Sequence, residues 1–196
     1  MKTFSIKEAF NRSWELFKTH KKVLILAALI SILINIAVNS GTDSWSLWSS
    51  VFNIVCYVIS LWIMIGFIKI TLKIVDGGSP TIHELFAYKD LIWKYFLITI
   101  VYGLIVAFGL ILIIPGIYFA MKYIFAPLLV VDKGRSVREA LDESARMTEG
   151  LKWHIFQLFL LCVLLIILGF VALGVGLLVA IPVVHLMYVH VYRKLS

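Results

Sequence analysis

Charge is scarce in this chain: Asp, Glu, Lys and Arg together make up 15% of its 196 residues, whereas 62% are hydrophobic. A soluble domain has about a quarter of its residues charged and about half apolar. Several apolar runs here exceed the roughly 18 residues that indicate a transmembrane helix. The composition therefore excludes an ordinary soluble enzyme or binding domain and predicts an integral membrane protein.

Acidic residues are missing from the apolar runs, and cysteine is rare. Proton- or sodium-coupled carriers usually need an intramembrane carboxylate, so the first absence disfavours that class. Cys56 and Cys162 lie in separate apolar runs without a CxxC motif or a Cys/His cluster, which disfavours a disulfide or a zinc site. No HExxH motif, phosphate loop or Ser/His/Asp set occurs either. We therefore expect no enzyme activity, no cofactor and no metal.

Hydrophobic runs account for most of the chain and predict six spans in an all-helical fold. Two of the four runs are far longer than one span needs, so each of these predicts two spans joined by a tight turn. Pro115 begins the second span of one such run, where proline is tolerated because the amide that it lacks has no helical partner. The runs are Val23–Asn39, Val51–Ile70, Tyr95–Val131 and Ile155–Val191.

Basic residues fall on one side of these spans. All 18 Lys and Arg lie in or near the N-terminus, segments 71–94 and 132–152, and the C-terminus, whereas the opposite side holds only Asp43. Cytoplasmic loops carry the excess of Lys and Arg. We therefore expect both termini in the cytoplasm, and the net charge of +7 reflects orientation rather than nucleic-acid binding.

A Ser/Thr-x-x-Glu pattern occurs three times, each time before two predicted spans. In such a capping box the hydroxyl accepts from the amide of the Glu, and the Glu accepts from the first amide. Single capping boxes are common, but three copies predict a threefold repeat of an interfacial amphipathic helix and a transmembrane hairpin. The predicted repeats are 1–75, 76–131 and 132–196, and the predicted cap pairs are Ser5 and Glu8, Thr81 and Glu84, and Ser136 and Glu139.

One face of each short helix carries small and weakly apolar residues. In the third copy, small and apolar residues recur at helical spacing, with Ala140 and Ser144 at the centre; in the first copy, Ala9 and Ser13 hold the corresponding places. A helix that binds a lipid surface has bulkier apolar residues and a basic polar face. We therefore expect the three short helices to pack closely against the cytoplasmic ends of the spans.

Five residues are candidates for a ligand site or pathway: Lys122, His185, His190, Tyr102 and Gln157. Lys122 lies deep in an apolar run, where an ionisable side chain either has a function or extends toward the boundary. His185 and His190 point about 140° apart on a helix, which suits packing or hydrogen bonding between helices better than metal binding. Tyr102 and Gln157 either line a cavity or bond between helices.

Residues 115–144, PGIYFAMKYIFAPLLVVDKGRSVREALDES, resemble a family of six-span bacterial and archaeal membrane proteins. That family includes the membrane domain of glycerophosphoryl diester phosphodiesterases. The matching features are Pro-Gly-Ile at the start of a span, Pro127 in a Phe-Ala-Pro-Leu run, Asp132, and Glu-Ala-Leu with Ser144. The catalytic barrel of those enzymes is absent from this sequence. The resemblance therefore implies a fold and a prokaryotic cytoplasmic membrane, not a reaction.

These observations together predict a non-enzymatic membrane protein with a scaffold, accessory or lipid-interacting role. The alternative is a small-molecule or lipid transporter or channel with a cavity near Lys122. The expected partners are membrane lipid and either a second copy of the chain or another membrane protein, and no nucleic acid.

Overall fold

The protein is described here from a computed structural model that covers residues 4–39, 47–172 and 174–196. These residues are largely helical and contain no strand. Six stretches are long and apolar enough to cross a membrane, which confirms the predicted all-helical, six-span architecture. Asp43 lies outside the described residues. The helices are α1 Ile6–Asn39, α2 Leu47–Val75, α3 Ile92–Leu110, α4 Ile114–Lys122, α5 Ala126–Lys133, α6 Val137–Met147, α7 Lys152–Val171 and α8 Leu177–Leu195.

The spans form a ring of neighbours. Helix α1 packs on α2, α2 on α3, α3 on α4, α4 on α7, α7 on α8, and α8 on α1. Helix α8 also contacts α2, while α5 contacts α2, α3 and α6. The core lies where α5 and α8 meet these neighbours, and Leu128, Leu129, Leu186 and Val189 are fully buried there. Large apolar side chains elsewhere stay exposed, as on a lipid-facing surface.

The first short helix is continuous with the first span. His20 interrupts α1 with non-helical dihedral angles, φ −110° and ψ 21°, so the charged segment before it meets the span at a kink. Ala9, Ser13 and Phe17 are buried on the side of this segment that its spacing predicts. Helix α1 therefore begins as a packed, charged segment and continues as a span.

The predicted second short α-helix is wrong. Thr81 is followed by two 3-10 stretches, Ile82–Phe86 and Lys89–Leu91. Only eleven positions separate Thr81 from the start of α3, whereas sixteen separate Ser136 from the start of α7. A 3-10 helix rises about 2.0 Å per residue and an α-helix about 1.5 Å, so eleven and sixteen residues cover similar lengths of about 22 and 24 Å. The shorter segment therefore reaches its span as the tighter, more extended helix.

Two span hairpins close on matching glycines. A Cβ atom added to Gly109 would lie 2.8 Å from the Cα atom of Gly116 at the α3–α4 turn. At the α7–α8 turn, a Cβ atom added to Gly169 would lie 3.1 Å from the carbonyl oxygen of Gly176. Both pairs are seven residues apart and are separated by 60 positions in the sequence. The missing side chains let the paired helices approach closely.

The fourth span is broken, which the sequence did not lead us to expect. Helix α4 ends at Lys122 and α5 begins at Ala126, with Pro127 in the first turn of α5. Proline has no amide to donate to the carbonyl of the residue four positions earlier, Tyr123, and its ring clashes with that carbonyl. We refer to residues 123–125 as the helix break.

Candidate functional site

Two hydroxyls of the third short helix satisfy the polar backbone of the helix break. The Ser144 hydroxyl donates to the carbonyl of Lys122 at 3.1 Å and accepts from the amide of Phe125 at 3.2 Å. The Thr148 hydroxyl donates to the same Lys122 carbonyl at 3.0 Å. Both side chains are fully buried. The Ala/Ser face of α6 therefore packs against an interrupted helix and replaces hydrogen bonds that the interruption removes.

Two tyrosines from other spans complete this arrangement. The hydroxyl of Tyr102 on α3 donates to the carbonyl of Ala120 at 3.1 Å, and that of Tyr188 on α8 donates to the carbonyl of Ile124. Of the two roles considered for Tyr102, the structure favours a hydrogen bond between helices. Helices α6 and α8 thus hold the helix break, and α3 holds the last turn of α4 before it.

An ion cluster joins the ends of three spans, and the sequence analysis missed it. The Arg193 guanidinium donates to both carboxylate oxygens of Asp76, at 2.8 and 2.6 Å, and to Asp132 at 3.0 Å. The Tyr192 hydroxyl donates to Asp132 at 2.7 Å. These four residues are called the Arg193 cluster below. Two similar segments, IVDGGS at Ile74 and VVDKGRS at Val130, could have indicated the cluster, because each places an aspartate at the end of a span.

The predicted caps differ in completeness. Ser136 and Glu139 form the reciprocal capping box, with Ser136 donating its amide to the Glu139 carboxylate at 3.0 Å. This bond holds the pKa of Glu139 below its ordinary value. The amide of Thr81 likewise donates to the Glu84 carboxylate at 3.1 Å.

At the first copy, the Ser5 hydroxyl accepts from the amide of Glu8 at 3.4 Å. The Glu8 carboxylate instead pairs with Lys194 at 2.8 Å, which joins α1 to the end of α8. Lys133, the last residue of α5, donates to Glu143 on α6 at 2.8 Å and holds the pKa of this carboxyl below its ordinary value.

Three of the predicted site residues lie apart from one another. The Lys122 ammonium lies 5.2 Å from the centre of the Tyr123 ring, beside the helix break. Gln157 is exposed on α7. The Nε2 atom of His190 is buried with no hydrogen-bond partner in the part of the chain that the structure describes. The structure therefore does not gather the candidate residues into one site.

Two grooves open between the spans, one on each side of His185. The first, of about 640 Å³, lies between α1, α2 and α8 and includes Asn35, Met64 and Phe67. The second, of about 450 Å³, lies between α7 and α8 and includes Phe159 and Cys162. Apart from Ser31, Asn35, Met64, Cys162, Tyr188 and His185, the described side chains that line the grooves are hydrocarbon. Lys122 lines neither groove.

Of the described residues that line the grooves, His185 is the one that the two grooves share. Its ring packs edge-on against Phe67, with 4.8 Å between ring centres. Its Nδ1 atom is buried and has no hydrogen-bond partner among residues 4–39, 47–172 and 174–196. We take the grooves and this imidazole as the candidate site, which could hold an apolar ligand with one polar group.

The six apolar helices, the lipid-facing exterior and the grooves define a multi-pass helical membrane protein. More specifically, the chain belongs to the family described as the membrane domain of glycerophosphoryl diester phosphodiesterase, whose match covers residues 90–192. The matched region runs from the start of the third span to the Arg193 cluster. It includes the helix break, the second groove and His185.

Curated relatives come from mycobacteria and are described as uncharacterised proteins. One from Mycobacterium bovis is 27% identical over 143 residues, and one from Mycobacterium tuberculosis strain H37Rv is 29% identical over 145 residues. Each alignment covers 73% of this chain and 44% of the relative, so the chain spans less than half the length of these relatives. No solved structure matches the chain.

Proposed function

We propose that this chain is a non-enzymatic, lipid-interacting protein of a prokaryotic cytoplasmic membrane, and that the grooves beside His185 hold lipid chains. The supporting observation is the pair of grooves, about 640 and 450 Å³, between membrane-spanning helices. Both volumes fall in the range of roughly 300–1,000 Å³ that small-ligand sites occupy. Their mainly hydrocarbon lining matches acyl chains better than a water-soluble substrate.

The proposal includes the threefold repeat and an orientation with both termini in the cytoplasm. A tryptophan stacks or tilts against a phenylalanine three residues later on α1, α3 and α7, the first long helix of each proposed repeat. The pairs are Trp14 and Phe17 at 5.7 Å, Trp93 and Phe96 at 5.6 Å, and Trp153 and Phe156 at 5.7 Å between ring centres. Aromatic rings of this kind are enriched at membrane–water boundaries. The pairs on α3 and α7 lie 60 positions apart, as do the hairpin glycines, and support the repeat of the second and third units. The pair on α1 lies earlier, in the first short helix. The one-sided distribution of Lys and Arg supports the orientation.

A groove-blocking pair of variants tests lipid binding. Val163 lines the second groove, whereas its neighbour Leu164, which is also exposed, lines neither groove. We expect Val163→Trp to lower the lipid retained per protein, measured by mass spectrometry after purification and detergent washing. Leu164→Trp introduces the same ring outside the groove and is the matched control. Equal lipid retention by wild type and both variants would contradict the proposal.

Transport is the second candidate function, and the helix break favours it. Interrupted spans form the substrate sites of many transporters, because their free backbone groups can contact a solute. Here, however, Ser144 and Thr148 already satisfy the Lys122 carbonyl. We expect Lys122→Met to leave lipid retention unchanged if the grooves are the site. Lost retention of a co-purified ligand, with folding intact, would favour a pathway at Lys122.

A further inference from the structure

We propose that His185 is the polar anchor of a binding site for a neutral lipid whose polar groups are hydroxyl or carbonyl oxygens. The ligand places one of these oxygens against the imidazole and its hydrocarbon in the grooves on either side. This inference rests on the proposed lipid-interacting function and adds to it the chemical class of the ligand.

The depth of His185 excludes a phospholipid headgroup from the anchor. His185 is eight residues from Leu177 at one end of α8 and eight from Arg193 near the other, so it lies about 12 Å from each. The hydrocarbon core of a bilayer is about 30 Å thick, which places this ring near its middle. Phospholipid chains reach that depth, but the charged phosphate holds the headgroup and its ester groups near the surface. A lipid without a charged group is not held there.

The unpaired Nδ1 atom calls for a polar partner. A polar group buried in the membrane without a hydrogen bond is unfavourable, and Tyr188, on the next turn of α8, satisfies this rule through the Ile124 carbonyl. Ser13, Trp62 and His190 also carry a buried polar atom without a partner among the described residues, but none of them lines either groove. Among the described residues, His185 alone carries a buried nitrogen without a partner and lines both grooves.

The lack of charged side chains along the described lining of the grooves predicts a ligand without charge. Among the described residues that line the two grooves there is no Lys, Arg, Asp or Glu. A phosphate or carboxylate held there would be a buried charge without a counter-ion. A neutral imidazole has one nitrogen that donates and one that accepts, so it pairs equally with a hydroxyl or a carbonyl oxygen. Diacylglycerols and isoprenoid quinones share this chemistry.

The test follows the His185 ring directly. The full chain, labelled with ¹⁵N-histidine and reconstituted in phosphatidylglycerol nanodiscs, is titrated with 1,2-dioleoylglycerol or with an isoprenoid quinone. We expect one of the two to shift the ring nitrogen signals of His185, which the spectrum of His185→Phe identifies. The lipid that produces the shift identifies the source of the oxygen. Squalene, which has hydrocarbon only, is expected to leave the ring signals in place.

Binding of the lipid that shifts the signals is then compared among variants. His185→Phe is expected to weaken it at least tenfold, whereas the same change at exposed His83 leaves it unaltered. His185→Asn keeps a donor and an acceptor and is expected to retain part of the affinity, so it serves if His185→Phe misfolds. Absence of a shift with both neutral lipids, or equal binding by His185→Phe, overturns the inference. If phospholipid is still retained in a Val163-dependent way, the proposed function survives; if no lipid is retained, both fail.

Discussion

Ser144 offers the sharpest test of how the helix break is stabilised. In Ser144→Ala, the amide of Phe125 loses the hydroxyl that accepts its hydrogen bond. An unsatisfied buried donor costs about 1–3 kcal/mol, and we expect this loss in the free energy of unfolding. The Lys122 carbonyl keeps its bond from Thr148, so it adds little to the single variant.

The second hydroxyl makes the prediction quantitative. Thr148→Val preserves the shape of the side chain and leaves the Lys122 carbonyl with Ser144, so we expect a loss of about 1 kcal/mol. In the double variant that carbonyl loses both donors. The combined loss should therefore exceed the sum of the single losses by roughly 1 kcal/mol, within the range seen for coupled neighbours.

Reversible unfolding in detergent–SDS mixed micelles, followed by circular dichroism, measures these differences. Ser13→Ala is the matched control. Ser13 occupies the corresponding place in the first short helix and is fully buried, but its hydroxyl has no partner among the residues that the structure describes. Its replacement is therefore expected to be neutral or stabilising. Equal effects of Ser13→Ala and Ser144→Ala, or strictly additive losses, would refute the assigned role of Ser144.

Three further predictions use the same unfolding assay. Arg193→Met leaves two carboxylates unpaired and is expected to lower stability by about 1–3 kcal/mol, less than for a fully buried pair because the cluster is partly solvated; a loss near zero would contradict this. The ion pairs of Glu143 lower its pKa in the folded state, and we expect them to add less than about 1 kcal/mol to the free energy of unfolding. This stabilisation is fully present above the ordinary pKa of Glu, about 4.3, and is lost as the pH falls through the lowered pKa of the folded state. Glu143→Gln should remove this acid dependence, and an unchanged profile would assign it elsewhere. Gly66→Ala would press a methyl group against a backbone carbonyl of the 3-10 segment, and we expect it to lower the free energy of unfolding by about 1–3 kcal/mol or more. Gly103→Ala is the control: its methyl group meets nothing within 4 Å, so we expect a neutral or slightly stabilising effect.

The span architecture was predictable because it depends on properties that add along the sequence. Run length and hydropathy identify six spans without knowledge of their neighbours. The caps were also accessible, since a capping box joins residues three apart. Even so, the second short α-helix was wrong, because a capping box predicts where a helix begins but not whether it is an α-helix or a 3-10 helix.

The candidate site was less accessible to sequence reasoning because its contacts join distant residues. His185 was a candidate by residue type, yet the two grooves that it separates depend on how α8 packs against α2 and α7. Pro127 is a sequence signal for the break in the fourth span. The side chains that bond to the backbone there, however, lie 19 and 64 residues further along the chain. Similarly, Arg193 meets Asp76 across 117 residues. Separations of this kind leave no periodic signal.

The placement of the three Trp-x-x-Phe pairs has a mechanical consequence. They lie on α1, α3 and α7, which are alternate members of the ring of spans. Trp93 and Trp153 are about two-thirds exposed, with 66% and 67% of their surface accessible, and Trp14 is 39% exposed. Two boundary anchors would leave the protein free to rock about the line that joins them. Three anchors spaced around a ring constrain its tilt in both directions, and we expect them to hold His185 at a constant depth in the membrane.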